Sequence, residues 1–276
     1  MNIHGSDAFY PRIFSFQNAL MRVFGHFINK TMKKTFITAF VIGLFAFEGH
    51  SQLFEIGLRG GLTATSGRTN LPEHSYSSPN GTLTNSKVTA KPDGMGFGYL
   101  GGLYARVNVL GFFVQTEASY AHFVLNQKIE DGKVFLGSSQ VGAYKSESQS
   151  QLSGINVPVL FGKTFALKLV RVYLGPNFLF VTQAKQNLKT TVGSTVTERE
   201  EDLTQDTRRE LPNRKVESLI IGLEAGVGVQ LPKIPLGFDL RYSVPVITGV
   251  YANKDITGFM GITTLTVSYR LFKLGL

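Results

Sequence analysis

Hydrophobic and polar side chains alternate with a period of two in eight separate segments between residues 53 and 272, the mark of strands with one apolar face. In the first, 53–63, Phe54, Ile56 and Leu58 oppose Glu55, Gly57 and Arg59. The second, 97–107, sets Phe97, Tyr99, Leu103, Ala105 and Val107 against Gly98, Gly102, Tyr104 and Arg106. In the third, 112–123, Phe112, Val114, Ala118 and Tyr120 face away from Gln115, Glu117 and Ser119. The fourth, 152–161, carries Ile155, Val157, Val159 and Phe161 opposite Asn156. The fifth opposes Val170, Val172, Leu174, Phe178 and Phe180 to Arg171, Tyr173, Gly175 and Asn177. The sixth runs from Leu219 to Val229, with Gly222, Glu224, Gly226 and Gly228 on its second face. The seventh alternates Leu236, Phe238, Leu240, Tyr242 and Val244 with Gly237, Asp239, Arg241 and Ser243. The last, 259–272, sets Leu265, Val267, Tyr269 and Leu271 against Thr264, Thr266, Ser268 and Arg270. Several segments are about ten residues long, the length with which a tilted strand crosses a bilayer.

The connections are of two kinds. Residues 108–111, 162–169 and 231–235 are short turns, whereas 66–93, 126–151 and 183–217 are long and polar, with a shorter stretch at 249–258. Short turns at one end and long loops at the other predict an eight-stranded antiparallel up-and-down transmembrane β-barrel, turns in the periplasm and loops outside. An even strand number brings both ends of the barrel segment to the turn side.

Alternation alone leaves open whether the apolar face looks outward to lipid or inward to a core, as in a soluble lipocalin-like barrel. The polar face decides for lipid. It is rich in glycine and small polar residues, with isolated charges near strand centres: Glu55, Arg59, Arg106, Glu117, Arg171, Glu224, Asp239, Arg241 and Arg270. A soluble exterior would be dense in Lys and Glu. A cramped eight-strand lumen takes small residues and a few charges that pair with one another.

The N-terminal region changes the picture of the charge. Met32-Lys33-Lys34 opens a basic stretch, 35–47 is apolar, and Gly49-His50-Ser51 places small residues before Gln52. This is the anatomy of a secretory signal peptide over 32–51, with the mature chain starting at Gln52. Residues 1–31 precede a complete signal and read as an upstream extension or a mis-assigned start, leaving 52–276 as the barrel domain. Of 28 basic and 19 acidic residues, five basic and two acidic fall within 1–51, so the barrel segment carries +6 rather than the whole-chain +9. Those charges are scattered, where a nucleic-acid binder would cluster them on one face. No nucleic-acid partner is expected. The absence of cysteine excludes thiolate metal sites and disulfides.

Candidate chemistry is sparse. Gly96-Phe97-Gly98-Tyr99-Leu100-Gly101 fits G-x-G-x-x-G, but a dinucleotide site needs that motif between a strand and a helix. Here it lies within a strand pattern, and small residues facing a tight lumen account for it. The mature chain has two histidines, His74 and His122, so a Ser-His-acid triad or a His-based metal site would need one of them. His122 closes the third segment near the long loops; a solvated or interfacial histidine is the simpler reading. No catalytic, cofactor or metal residue is assigned. The candidate site is the lumen charge network of Arg59, Arg106, Glu117, Arg171, Glu224, Asp239, Arg241 and Arg270, read as a plug that stabilises the barrel, against a gated polar path. Glu198-Arg199-Glu200-Glu201-Asp202, Arg208-Arg209 and Arg214-Lys215 make the third long loop strongly charged, and the plain explanation is a solvated loop.

Five short motifs carry a family resemblance: Gly101-Gly102-Leu103-Tyr104-Ala105, Val114-Gln115-Thr116-Glu117, Ile155-Asn156-Val157-Pro158, Tyr173-Leu174-Gly175-Pro176 and Phe238-Asp239-Leu240-Arg241-Tyr242. With the Ser51-Gln52 junction, they resemble the PorT-like outer-membrane β-barrel family of Bacteroidetes-type bacteria. The resemblance implies an eight-stranded barrel, in one member class linked to a protein secretion system. The expected function is thus non-enzymatic: a structural, binding or secretion-associated protein of the bacterial outer membrane, without cofactor. The alternatives are a small porin-like channel for ions or small solutes, and a barrel hydrolase or acyltransferase. Expected partners are outer-membrane lipid and lipopolysaccharide, the barrel assembly machinery and secretion-system proteins.

Overall fold

Rows of branched and aromatic side chains favour the pleated, half-buried surface of a strand, and all eight periodic segments are strands. The computed structural model describes residues 53–275, apart from 80, 166–168, 207–211, 232 and 246–248. The predicted signal at 32–51 and the upstream 1–31 lie outside the described residues. Twelve strands follow in order: β1 Leu53–Leu71, β2 His74–Ser78, β3 Gly81–Asn85, β4 Val88–Pro92, β5 Gly96–Val109, β6 Phe112–Leu136, β7 Ser139–Phe165, β8 Val170–Val192, β9 Thr195–Asp202, β10 Leu219–Gln230, β11 Leu236–Pro245 and β12 Thr257–Gly275.

Eight of them close a ring of antiparallel neighbours, β1-β5-β6-β7-β8-β10-β11-β12, and β12 returns to β1. Closure removes the edges that an open sheet would present. The seam between β1 and β12 is long, from Leu53 opposite Gly275 to Asn70 opposite Thr257. At the turn end β5 passes into β6 through Leu110 and Gly111, both at positive φ (50° and 84°), the handedness that a two-residue hairpin needs.

Parity sorts the side chains. Leu58, Leu62, Leu103, Leu174, Leu223, Leu240, Leu265 and Val267 stand outward and exposed around the waist of the barrel. Aromatic residues flank this aliphatic waist, Phe112, Phe161, Phe165, Tyr269 and Phe272 toward the turns and Phe97, Tyr99, Phe180, Tyr242 and Phe259 toward the loops. An apolar band between two aromatic girdles is the exterior of a transmembrane barrel. The G-x-G-x-x-G segment lies in β5, with Gly96 and Gly98 turned inward and Phe97 outward, and no helix follows.

The loop end departs from the sequence reading. The stretch 126–151, expected as a polar loop, is the upper half of a hairpin in which β6 and β7 stay paired as far as Leu136 and Ser139. The stretch 66–93 holds the end of β1, the β2–β3 hairpin and β4, and 183–202 is a β8–β9 hairpin. Strands β2, β3, β6, β7, β8 and β9 thus continue as a sheet above one side of the barrel.

Candidate functional site

The nine charges of the polar face all turn into the lumen, and the structure brings them together in layers. In the upper layer Glu117 of β6 accepts from Arg241 of β11, directly across the ring, with Nη2–Oε1 at 2.7 Å and Nη1–Oε2 at 3.1 Å. Arg59 of β1 pairs with the same carboxylate and donates from Nη2 to Thr266 Oγ1 at 2.9 Å. Arg241 Nη1 also reaches Glu224 Oε1 at 2.7 Å, and Asn177 Nδ2 donates to the other oxygen of Glu224 at 2.9 Å. Two guanidinium and two carboxylate groups balance here.

Nearer the turns, Tyr173 links the layers. Its hydroxyl accepts from Arg241 Nε at 3.0 Å and donates to Asp239 Oδ1 at 2.9 Å, while the Arg241 guanidinium lies 5.0 Å from its ring centre. Arg171 Nη2 completes Asp239 at 3.1 Å, and its Nη1 donates to Gln230 at 3.0 Å. Glu55 takes both Arg106, at 3.2 Å, and Arg270, at 3.6 Å. Arg106 donates from Nε to Gln115 at 2.6 Å and lies over the rings of Tyr104 and Phe113. Five arginines against four acids leave one excess cation, and it falls where Arg270 is the most accessible member, 22% exposed at the turn end.

The fit of these groups depends on inward glycines. At Gly226 a side-chain carbon would approach Tyr173 to 2.7 Å and Arg241 to 2.9 Å, so a bare backbone there makes room for the stacked pair. A lone ion in such a space carries a penalty of several kcal/mol by order of magnitude, which multiple partners offset.

Above the charged layer sits an apolar plug that the sequence reading did not contain. Leu100, Phe123, Leu125, Leu152, Leu179, Ile220, Met260 and Ile262 point inward from the strands and pack with Leu203 and Val216 from the third long connection, and with Val250 and Tyr251. Backbone bonds fix these connections: Leu203 N to Ala184 O at 2.8 Å, Val216 N to Leu203 O at 2.8 Å and Glu217 N to Val250 O at 3.0 Å. A buried ion pair, Arg214 to Glu201 at 2.9 Å, ties the plug to β9. The cavity between plug and charged layer is about 10 Å³, the room of a single water. The loop sequence offers only one cue to the plug, its isolated Leu203 and Val216 among polar neighbours.

His122 lies midway along β6 on the outer side, rather than at a strand end. Its ring stands 5.3 Å from that of Tyr99, and Nδ1 shares a hydrogen bond with Ser153 Oγ at 2.8 Å. Ser153 is buried, and no carboxylate is bonded to the ring among the described residues. His74 opens β2 at the loop end. No cluster of metal-ligating side chains occurs among the described residues.

The family model described as outer membrane protein beta-barrel domain matches residues 48–248. The chain belongs to that family. It is a bacterial outer-membrane barrel, with its short turns in the periplasm and its long connections outside. Similar solved structures include Ail, the attachment invasion locus protein of Yersinia pestis, in complex with the heparin analogue sucrose octasulfate, at 12% identity over 81% of this chain and 100% of that one, TM-score 0.33. Neisserial surface protein A is 12% identical over 77% and 96%, TM-score 0.29. The outer membrane protease OmpT of Escherichia coli is 8% identical over 82% and 98%, TM-score 0.34. No curated protein sequence matches the barrel.

Proposed function

We propose that this outer-membrane barrel is a non-enzymatic protein of the PorT-like type, structural, binding or secretion-associated, that acts through its outer sheet and loops rather than by transport through its lumen. The observation that carries this reading is the strut across the lumen: Arg241 and Glu117 join opposite walls, with the apolar plug above them. Eight strands leave an interior that side chains fill, and here they fill it with paired charges. The five motifs that resemble those of PorT-like proteins support a role beside secretion-system components. Lipopolysaccharide and the barrel assembly machinery are the further partners of this reading.

The hydrolase alternative has less to stand on. His122 bonds a buried serine and has no carboxylate to orient it, so an acyl-transfer triad is incomplete among the described residues.

Planar-bilayer recording of the purified barrel tests the closed lumen: no stable conductance steps are expected, and reproducible steps would return the channel reading. Deletion of the gene in its own host, with measurement of extracellular protein, tests the secretion-associated role; unchanged secretion would remove it.

A further inference from the structure

A groove of about 410 Å³ runs down the outer wall at the loop end, across the seam of β1 and β12. Ala64 and Gly261 form its floor, and Tyr242, Phe259 and Met95 its walls. The register explains the depression: Ser66 faces Gly261 and Ala64 faces Thr263, so small residues meet across the seam where the rest of the belt carries Leu and Phe. The Tyr242 ring lies over Gly261, where a side-chain carbon would come within 2.9 Å of Cζ. The walls are open to the bilayer, with Met95 63% exposed and Phe259 52%.

Arg68 stands at the upper rim of this groove, exposed, opposite Phe259. No ion pair or side-chain hydrogen bond engages it among the described residues. One step above, Asn70 joins Thr257 and Thr89 in a polar chain, with bonds of 3.3 and 2.9 Å. The outward face of β1 therefore passes from Leu62 through Ala64 and Ser66 to a single cation and then to amides and hydroxyls. That order places the guanidinium where hydrocarbon gives way to headgroups. Every buried-layer arginine has an acid; this one, on the lipid side, has none among the described residues.

We propose that the groove is a lipid site: it seats an acyl chain of a phosphorylated glycolipid of the outer leaflet, lipid A in chemistry, with Arg68 on a phosphate. A guanidinium matches two phosphate oxygens at once, and the small-residue floor admits a chain that the neighbouring Leu-rich wall would only touch. The site follows from the outward-facing loops, which put the groove in the lipopolysaccharide leaflet, and it is independent of whether the barrel serves secretion.

Native mass spectrometry of the full barrel in detergent, titrated with lipid A, tests this. Lipid A is expected to bind in preference to phosphatidylethanolamine and to dephosphorylated lipid A. Arg68→Gln is expected to weaken it about tenfold or more, the loss of a charged hydrogen bond. Ala64→Phe, which fills the floor, is expected to weaken it likewise, and Ser66→Phe replaces it should that variant not fold. Leu58→Phe, in the waist, is the control and keeps full binding. Equal binding of the three lipids, or unchanged lipid A binding in both Arg68→Gln and the groove-filled variant, overturns the proposal.

Discussion

Arg241 clasps Glu117 with two hydrogen bonds, 2.7 and 3.1 Å long, although they stand 124 positions apart in the chain. The two strands that carry them stand opposite each other, so this contact spans the bore rather than lining it. Truncating Arg241 to Met leaves Glu224 and half of Glu117 without a cation. The expected loss is about 3–5 kcal/mol, the range for breaking a buried pair. Heat-modifiability gels and urea unfolding in detergent read it as a lower midpoint. The double variant Arg241→Met, Glu224→Gln should recover part of the loss; a double variant worse than the sum of the singles would contradict the assigned pairing.

The sense of the wall is tested at neighbouring positions of β12. Leu265→Arg puts a charge at mid-belt and should destabilise the barrel by about 2–4 kcal/mol in a bilayer. Thr266, one residue along, points inward beside Arg59. If Leu265→Arg inserted and unfolded like the wild type, lipid would not be what covers that face.

Gly226→Val places carbon where Tyr173 and Arg241 now sit. The stack must part, and the Tyr173 hydroxyl loses its bonds to Arg241 and Asp239. Tyrosine near-ultraviolet dichroism should weaken together with the unfolding midpoint, while Gly101→Val, on the lipid side, should leave both close to wild type.

Leu110 pays the left-handed penalty at an 83% exposed turn position where its side chain gains little. Leu110→Asn should stabilise the barrel by about 1 kcal/mol. An unchanged or lower midpoint would mean that the side chain has a contact worth more than the strain.

Outside the bilayer, hydrogen bonds from Lys128 and then Lys91 hold the Glu130 carboxyl below its ordinary range, binding β4 to β6. A lowered carboxyl favours the folded strap above its ordinary titration range, and this help fades as pH falls through the lowered value. The protection factors of amides 88–91, with the intrinsic pH dependence of exchange divided out, should therefore fall on acidification below the ordinary carboxylate range, and Glu130→Gln should remove that fall.

The barrel wall was legible because lipid on one side and a filled lumen on the other force each crossing segment into strict alternation. Glu117 and Arg241 share the inward parity of glycine and serine, and that parity alone assigns them to the interior. Which acid meets which arginine was not legible, since the partners come from strands on opposite sides of the ring. The upper hairpin of β6 and β7 was hidden for a different reason. Lys128, Glu147, Ser148 and Gln149 all meet water, so neither face is apolar and the period vanishes although the backbone stays paired. The plug was hidden because Leu203 and Val216 are single apolar residues in polar stretches, recruited by tertiary contact alone.

Glu55 of β1 meets Arg270 of β12, and Glu117 of β6 meets Arg241 of β11, only when the ring shuts. A half-built sheet surrounded by acyl chains would leave Arg270 apart from its acid. The stroke that zips the seam therefore gives Arg270 its acid and locks the two central ion pairs to each other.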